Sequence, residues 1–89
     1  MKIVWDEAKR RLNIKKHGLD FADVAAVFEG ITYTFEDSRF AYAEQRFITL
    51  GMLHGIVLVI AHTETTREIR VISMRKATKN EEAIYFQNL

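Results

Sequence analysis

The apolar residues of this chain recur with two different periods, and the period changes at Gly30. Before that glycine, one segment has apolar residues at the i, i+3, i+4 and i+7 spacing of a helix with one buried face: Phe21, Val24, Ala25 and Phe28. After it, β-forming residues alternate with polar ones, as in a strand with one buried face. A chain of 89 residues has room for one core, so helices and a sheet must share a single domain over residues 1–89.

Capping signals predict two helices before Gly30. Asp6 can accept hydrogen bonds from the free N–H groups of a helix over residues 6–17, and Gly18 can adopt the left-handed conformation that ends it. Asp20 is placed to cap the second helix, which ends at Gly30.

Alternation after Gly30 predicts four strands in an antiparallel meander, over residues 31–35, 47–53, 56–61 and 68–76. His54 and Gly55 lie where a tight hairpin turn is expected, and Thr78 and Glu81 form a capping box that opens a last helix. Residues 2–5 can add a short edge strand. The expected fold class is α+β: two N-terminal helices, a four-stranded antiparallel meander sheet and a C-terminal helix. The helices should lie against one sheet face and leave the other free for a site.

The charges are nearly balanced in number but unevenly placed. A net charge of +1 is weak support for nucleic-acid binding, yet residues 9–17 carry five Lys and Arg and no acid. Residues 67–79 carry five more against Glu68 alone. Local basic patches can capture phosphate on a neutral protein. A solvated helix face and a strand edge would give the same pattern, so both interpretations stand.

Targeting and redox signals are absent from the sequence. There is no cysteine, which excludes disulfides and thiolate metal sites and suits a reducing compartment. The first twenty residues lack the apolar core of a signal peptide, and the aliphatic run at 56–61 is too short to span a membrane. We expect a cytoplasmic protein with no metal and no cofactor.

Strict alternation would place cations on both sides of the last strand. One side would carry Arg70, Ile72, Met74 and Lys76, and the other Ile69, Val71, Ser73 and Arg75. A helix-covered sheet should instead have one apolar face, so these arginines need an explanation. Arginine suits phosphate because its planar fork donates two parallel hydrogen bonds, and it can stabilise a pentacoordinate phosphate. Ion pairs with surface carboxylates are the alternative.

His62 ends the most apolar strand, two residues before Glu64. The length of the following turn decides which arginine it meets. A five-residue turn puts His62 opposite Glu68 and diagonal to Arg70. A four-residue loop instead puts on the shared face Ile69, Val71, Ser73 and Arg75. The sequence leaves both registers open, as well as a strand-end histidine with ordinary ion pairs.

The loop over residues 36–45 is dense in groups that suit RNA. Phe40 and Tyr42 can stack on single-stranded bases, and Arg39 and Arg46 can hold phosphates. With Lys76 of the last strand, the candidate RNA-binding residues are Arg39, Tyr42, Arg46 and Lys76. A plain surface loop with one aromatic anchor fits the same residues.

Five short motifs follow one another along nearly the whole chain: WDEAK (Trp5 to Lys9), KKHGLDF (Lys15 to Phe21), FED-R-Y-E-R (Phe35 to Arg46), HTE (His62 to Glu64) and R-IS-RKAT (Arg70 to Thr78). Together and in this order they resemble the BrnT family, the toxins of a bacterial type II toxin–antitoxin system. Two positions depart from the family pattern. Ala43 stands where the family usually has glycine, and Thr65 where a basic residue is common.

The resemblance implies a RelE-like fold and metal-independent endoribonuclease activity that arrests translation. It also implies a neighbouring BrnA antitoxin with a ribbon-helix-helix domain, through which alone the complex would contact and repress its operator DNA. Carried onto this chain, the catalytic candidates are His62, Glu64, Arg70 and Arg75, with His62 or Glu64 as base and proton donor. From the residues alone, a non-catalytic RNA- or ribosome-binding module and a protein-interaction domain remain alternatives.

Overall fold

A computed structural model of the protein describes residues 1–39 and 41–89. Within these residues one sheet contains β1 (Lys2–Trp5), β2 (Thr32–Glu36), β3 (Phe47–Leu53), β4 (Ile56–Glu64) and β5 (Glu68–Lys76), in the spatial order β1-β5-β4-β3-β2. The helices are α1 (Glu7–His17), α2 (Val24–Glu29), which follows a short 3₁₀ turn (Phe21–Asp23), and α3 (Lys79–Gln87). No helix in the described residues is long and apolar enough to cross a membrane.

The four-stranded antiparallel sheet expected from the sequence was wrong, because the possible edge strand over residues 2–5 is present as a fifth strand, β1. It pairs in parallel with β5, from Lys2 opposite Glu68 to Trp5 opposite Val71, which makes the sheet mixed. Four residues are too few to show a period, and β1 pairs with a strand from the far end of the chain. No hairpin signal could therefore have predicted the pairing.

The two sheet faces carry separate cores. On one, here called the α2 face, the residues around α2 pack against the sheet: Phe21, Val24 and Val27 against Leu58, Ile60, Val71 and Met74. On the other, the α3 face, Tyr85 of α3 packs in a cluster with Ile48, Leu50, Val57 and Val59. The expectation that all helices share one face was also wrong, since α3 covers part of the face that was to be free.

The local signals that define element ends are confirmed. The Asp6 Oδ1 accepts from the N–H groups of Ala8 and Lys9, at 2.8 and 3.2 Å. Gly18 has a φ of 68° and ends α1 in the left-handed conformation. His54 and Gly55 both have positive φ, as the tight hairpin turn requires.

A β-bulge in β5 sets which of its side chains share a face. Ala61 lies opposite Ser73, but the next residue of β4, His62, lies opposite Val71, so Ile72 is an extra residue. The bulge reverses the alternation of β5. The α2 face therefore receives Ile69, Val71 and Met74, and the α3 face receives Arg70, Ser73 and Arg75. As a result, β5 does have one apolar side, which strict alternation had not predicted.

A buried asparagine holds α1 beside β5. Asn13, 6% exposed, accepts from the Met74 N–H at 3.1 Å and donates to the Met74 carbonyl at 2.9 Å. It also donates to the Leu19 carbonyl at 3.0 Å. Since β1 pairs with β5 only as far as Val71, the Asn13 amide occupies the place of a neighbouring strand next to Met74.

Candidate active site

A cleft of about 280 Å³ opens on the α3 face between the loop after β2 and the start of α3. Its floor is apolar and its walls carry paired charges. The floor consists of Phe35, Ile48 and Val59, and the walls of Glu36, Asp37, Ser38, Arg39, Arg75 and Glu81. Arg75 reaches it because it lies opposite Val59, on the face that the bulge assigns to it.

The Arg75 guanidinium is fixed by the first turn of α3. Its Nη1 and Nη2 donate to the two carboxylate oxygens of Glu81 at 2.8 and 2.9 Å, and Nη1 also donates to the Lys76 carbonyl at 3.2 Å. Glu81 is itself placed by the capping box with Thr78. The pairing raises the pKa of Arg75 and lowers the pKa of Glu81 to about 2, so both stay charged. Among the described contacts, the Arg75 Nε–H and one Nη2–H are unused, and these form the side-on fork that binds phosphate.

Asp37 organises the facing wall. Only 6% exposed, it accepts hydrogen bonds from Arg39 Nε and Nη2 at 2.8 and 3.0 Å and from the Tyr42 hydroxyl at 3.0 Å. The Arg39 guanidinium holds the pKa of Asp37 well below its usual range. The Arg46 guanidinium lies over the Tyr42 ring, 4.2 Å from the ring centroid. Three of the predicted RNA-binding residues, Arg39, Tyr42 and Arg46, thus form one assembly around Asp37.

Two further predicted cations, the catalytic candidate Arg70 and the RNA-binding candidate Lys76, lie elsewhere. Arg70 is exposed on the α3 face, at the opposite end of β5 from Arg75, and pairs across the sheet with Thr63. Lys76 lies opposite Leu58, whose side chain belongs to the α2-face core, so it is on the other side of the strand from Arg75. Phe40, the second aromatic candidate of the loop, lies outside the described residues.

His62 is closed off on the α2 face, away from both arginines. Its ring is 0% exposed, between Phe28 edge-on at 5.6 Å and Phe47 stacked at 6.0 Å. Nε2 is 2.7 Å from the Thr49 hydroxyl, which is 2.7 Å from the Thr34 hydroxyl. Burial lowers the pKa of His62, although Glu64 opposes the shift, with its Oε1 at 3.7 Å from Nδ1. A neutral histidine without exposed surface cannot contact a substrate in this conformation.

The registers left open by the sequence are now decided. His62 lies opposite Val71 and shares its face with Ile69 and Val71, as the four-residue alternative expected, but the bulge moves Ser73 and Arg75 to the other face. Neither arginine meets the histidine. Glu64, opposite Ile69, stays on the α2 face as well. The structure therefore brings Arg70 and Arg75 to one face and His62 and Glu64 to the other.

Sequence reasoning missed three carboxylates of the cleft. Asp37 and Glu81 hold the two arginines, and Glu36 lines the same space. The sequence identified Glu81 as part of the capping box. Its pairing with Arg75 could not be predicted, because it depends on the direction in which α3 runs from the end of β5. For Asp37 the sequence contains no such signal, because it is one of several acids in a loop that also contains Arg39 and Tyr42.

The buried His62 makes folding stability depend on pH. Its pKa in the folded state lies below the ordinary histidine value of 6.5, so the unfolded chain binds the proton first as the pH falls. The stabilisation is complete above the unfolded pKa and is lost as the pH falls below it. We expect the free energy of unfolding in urea to be smaller at about pH 5.5 than at about pH 7.5. His62→Gln should flatten this difference, and His54→Asn, at an exposed turn, should keep it. If the difference between the two pH values is undiminished in His62→Gln, His62 is not the source of the pH dependence.

Comparison with known families matches most of the chain to one of them. The model described as "Ribonuclease toxin, BrnT, of type II toxin-antitoxin system" matches residues 5–81. The matched span contains every cleft residue from Phe35 to Glu81. No curated protein matches the chain.

Proposed function

Since the chain belongs to the BrnT family of ribonuclease toxins of type II toxin–antitoxin systems, we propose that it binds and cleaves RNA on the α3 face. The observation that carries this proposal is the gathering of Arg70 and Arg75 on that face by the bulge in β5, with Arg39 across the cleft from Arg75. Three guanidinium groups on one surface suit a phosphodiester backbone. The apolar floor of Phe35 and Ile48 suits a ribose or base.

The reaction we propose is attack of an RNA 2′-hydroxyl on the adjacent phosphorus. The P–O5′ bond breaks, the 2′-hydroxyl proton goes to a base and the leaving 5′-oxygen takes a proton. The products are a 2′,3′-cyclic phosphate and a free 5′-hydroxyl. The transition state carries more negative charge on its phosphate than the ground state does, so preorganised cations accelerate the step. Arginines can supply the positive charge that other nucleases take from a metal, which supports cleavage without one.

Arg75 is the group we place on the reacting phosphate. Glu81 and the Lys76 carbonyl hold its guanidinium in place, so little rearrangement is needed when charge develops. Its unused side-on fork matches two phosphate oxygens. Arg39 lines the same cleft from the loop after β2, so we propose that it adds positive charge to the same phosphate.

The two carboxylates that bind the cleft arginines are poorly suited to the role of base. Asp37 and Glu81 are each tied to an arginine by two hydrogen bonds, and their lowered pKa values make them weak bases. The assignment of His62 and Glu64 as base and donor stays a prediction, but both lie on the other face of the sheet from Arg75. The same register places Glu36 opposite Phe47, whose ring stacks on His62, so Glu36 belongs to the α2 face as well although it borders the cleft. We therefore assign the base to none of the cleft carboxylates.

The biological setting follows from the family. A type II system pairs its toxin with an antitoxin, and we propose that a small neighbouring antitoxin with a ribbon-helix-helix domain neutralises this protein. We further propose that cleavage inhibits translation and growth, and that the toxin–antitoxin complex represses its own operon. Operator DNA would then be contacted only through the antitoxin.

The chemistry is tested with a short RNA and a matched copy that carries one 2′-deoxy nucleotide on the 5′ side of the cleavage site. The purified protein should cut the first RNA in excess EDTA and leave the second intact, because the nucleophile is missing. Mass spectrometry of the products should find the cyclic phosphate. Cleavage of the deoxy substrate, or loss of cleavage in EDTA, would show that the mechanism is different.

The residue assignment is tested by Arg75→Ala. Removing one preorganised donor from a phosphate transition state should lower the single-turnover cleavage rate by roughly 10²- to 10³-fold. Arg75→Lys should restore only part of that rate, because it keeps the charge and loses the fork. Lys76→Ala is the matched control, since it removes a neighbouring cation from the other side of the strand. Equal losses in Arg75→Ala and Lys76→Ala, or RNA binding with no cleavage by the unaltered protein, would refute the assignment.

A further inference from the structure

A second groove, of about 750 Å³, lies between α1 and the bulge of β5. Leu12 of α1 and Ile72, the extra residue of the bulge, are its apolar side chains. Four groups that are or can be cationic stand around them: Lys9, Lys15, Lys16 and His17. The proposed RNA cleavage uses none of these residues.

The orientation of α1 is unusual for a helix packed on a sheet. A surface helix normally buries its apolar residues. Here the residue that α1 buries is Asn13, and Leu12 remains 65% exposed. A single exposed leucine is ordinary on a protein surface. This one lies with Ile72 in a concave, cation-rimmed groove, which is how a binding surface differs from scattered exposure.

The lysines of the groove are not neutralised within the described residues. Arg10 and Arg11 of the same helix form ion pairs with Glu7 and Asp20. No such pair is formed by Lys9, Lys15 or Lys16 in the part of the chain that the structure describes. The groove therefore combines apolar surface with uncompensated positive charge. That combination fits an acidic, amphipathic protein segment, whereas an RNA backbone would leave the apolar part of the groove uncovered.

The groove borders the strand that carries the proposed RNA site. Ser73 lines the groove and also belongs to the α3 face, between Arg70 and Arg75 along β5. Asn13, another lining residue, holds the backbone of Met74 from the side of α1. A protein seated in the groove would thus lie directly beside the arginines.

We propose that this groove docks an acidic amphipathic segment of the antitoxin, with Leu12 as the apolar anchor and the lysines as charge partners. From there the antitoxin continues past Ser73 and covers Arg70 and Arg75, which blocks RNA. The identity of the partner rests on the proposed function of the chain as a toxin. The location of the docking surface rests on the groove itself.

The test measures the affinity of the purified product of the adjacent small reading frame for the full chain, by isothermal titration calorimetry. Leu12→Glu and Lys16→Glu should each weaken binding, Leu12→Glu by roughly 30-fold or more, the effect of losing an interface hot spot. Arg11→Glu, a charge reversal on the same helix outside the groove, should leave the affinity within about 3-fold. Circular dichroism should find all three variants folded, since all three side chains are exposed.

Cleavage of RNA by the free variants separates this proposal from the nuclease proposal. Leu12→Glu should cut RNA at the unaltered rate and should resist inhibition by the partner. Partner affinity that is unchanged in both Leu12→Glu and Lys16→Glu would overturn the docking proposal. So would Lys16→Glu weakening the binding of a single-stranded RNA while partner affinity stays unchanged, since the groove would then be an RNA surface. Weakened partner binding together with no RNA cleavage by the unaltered chain would support the docking surface and reject the nuclease function alone.

Discussion

One extra residue in β5 decides which side chains meet on each face of the sheet. Between the pairs Ala61–Ser73 and His62–Val71, Ile72 is accommodated as a bulge, and the alternation of the strand reverses there. Without the reversal, Arg70 and Arg75 would point to opposite faces. With it, Val71 and Met74 enter the α2-face core, and both arginines reach the face that bears the cleft. The extra residue itself lines the groove beside α1.

The cleft is built by carboxylates that hold arginines in place. Glu81 fixes Arg75 from the first turn of α3, and Asp37 fixes Arg39 from the loop after β2. Each carboxylate also has a structural task, since Glu81 caps its helix and Asp37 bonds the Tyr42 hydroxyl. Rigid guanidinium groups lose little entropy when a phosphate arrives, which is an advantage for a small enzyme that stabilises charge. The cost is that the same carboxylates are poor bases, so proton removal must fall to another group.

What the sequence could predict was local. The caps at Asp6, Gly18 and Thr78 and the turn at His54–Gly55 depend on neighbouring residues, and each was predicted correctly. The parallel pairing of β1 and the position of α3 depend on contacts between distant parts of the chain, and no pattern within a short window reports them. The bulge leaves no mark in the composition of β5. The sequence could therefore identify the arginines of the site as candidates, but it could not predict the sheet face to which they point.

His62 shows the same limit of prediction from sequence. His62 ends a strand two residues before Glu64, and the motif resemblance made both residues catalytic candidates. Its partners in three dimensions are Thr49 and Phe47 of β3 and Phe28 of α2, and they close it off from solvent. Burial cannot be read from a motif, because it is set by the helix that packs over the residue.

The most direct measurement of the central claim is the footprint of a non-cleavable RNA on the folded protein. A 2′-deoxy analogue of the substrate, titrated into isotope-labelled protein, should shift the backbone amide and arginine side-chain NMR signals of Arg39, Arg70 and Arg75. The His62 ring signals should stay where they are, since that ring lies beneath α2 on the other face. Shifts concentrated at His62, Glu64 and their neighbours, with the three arginines unaffected, would contradict the account.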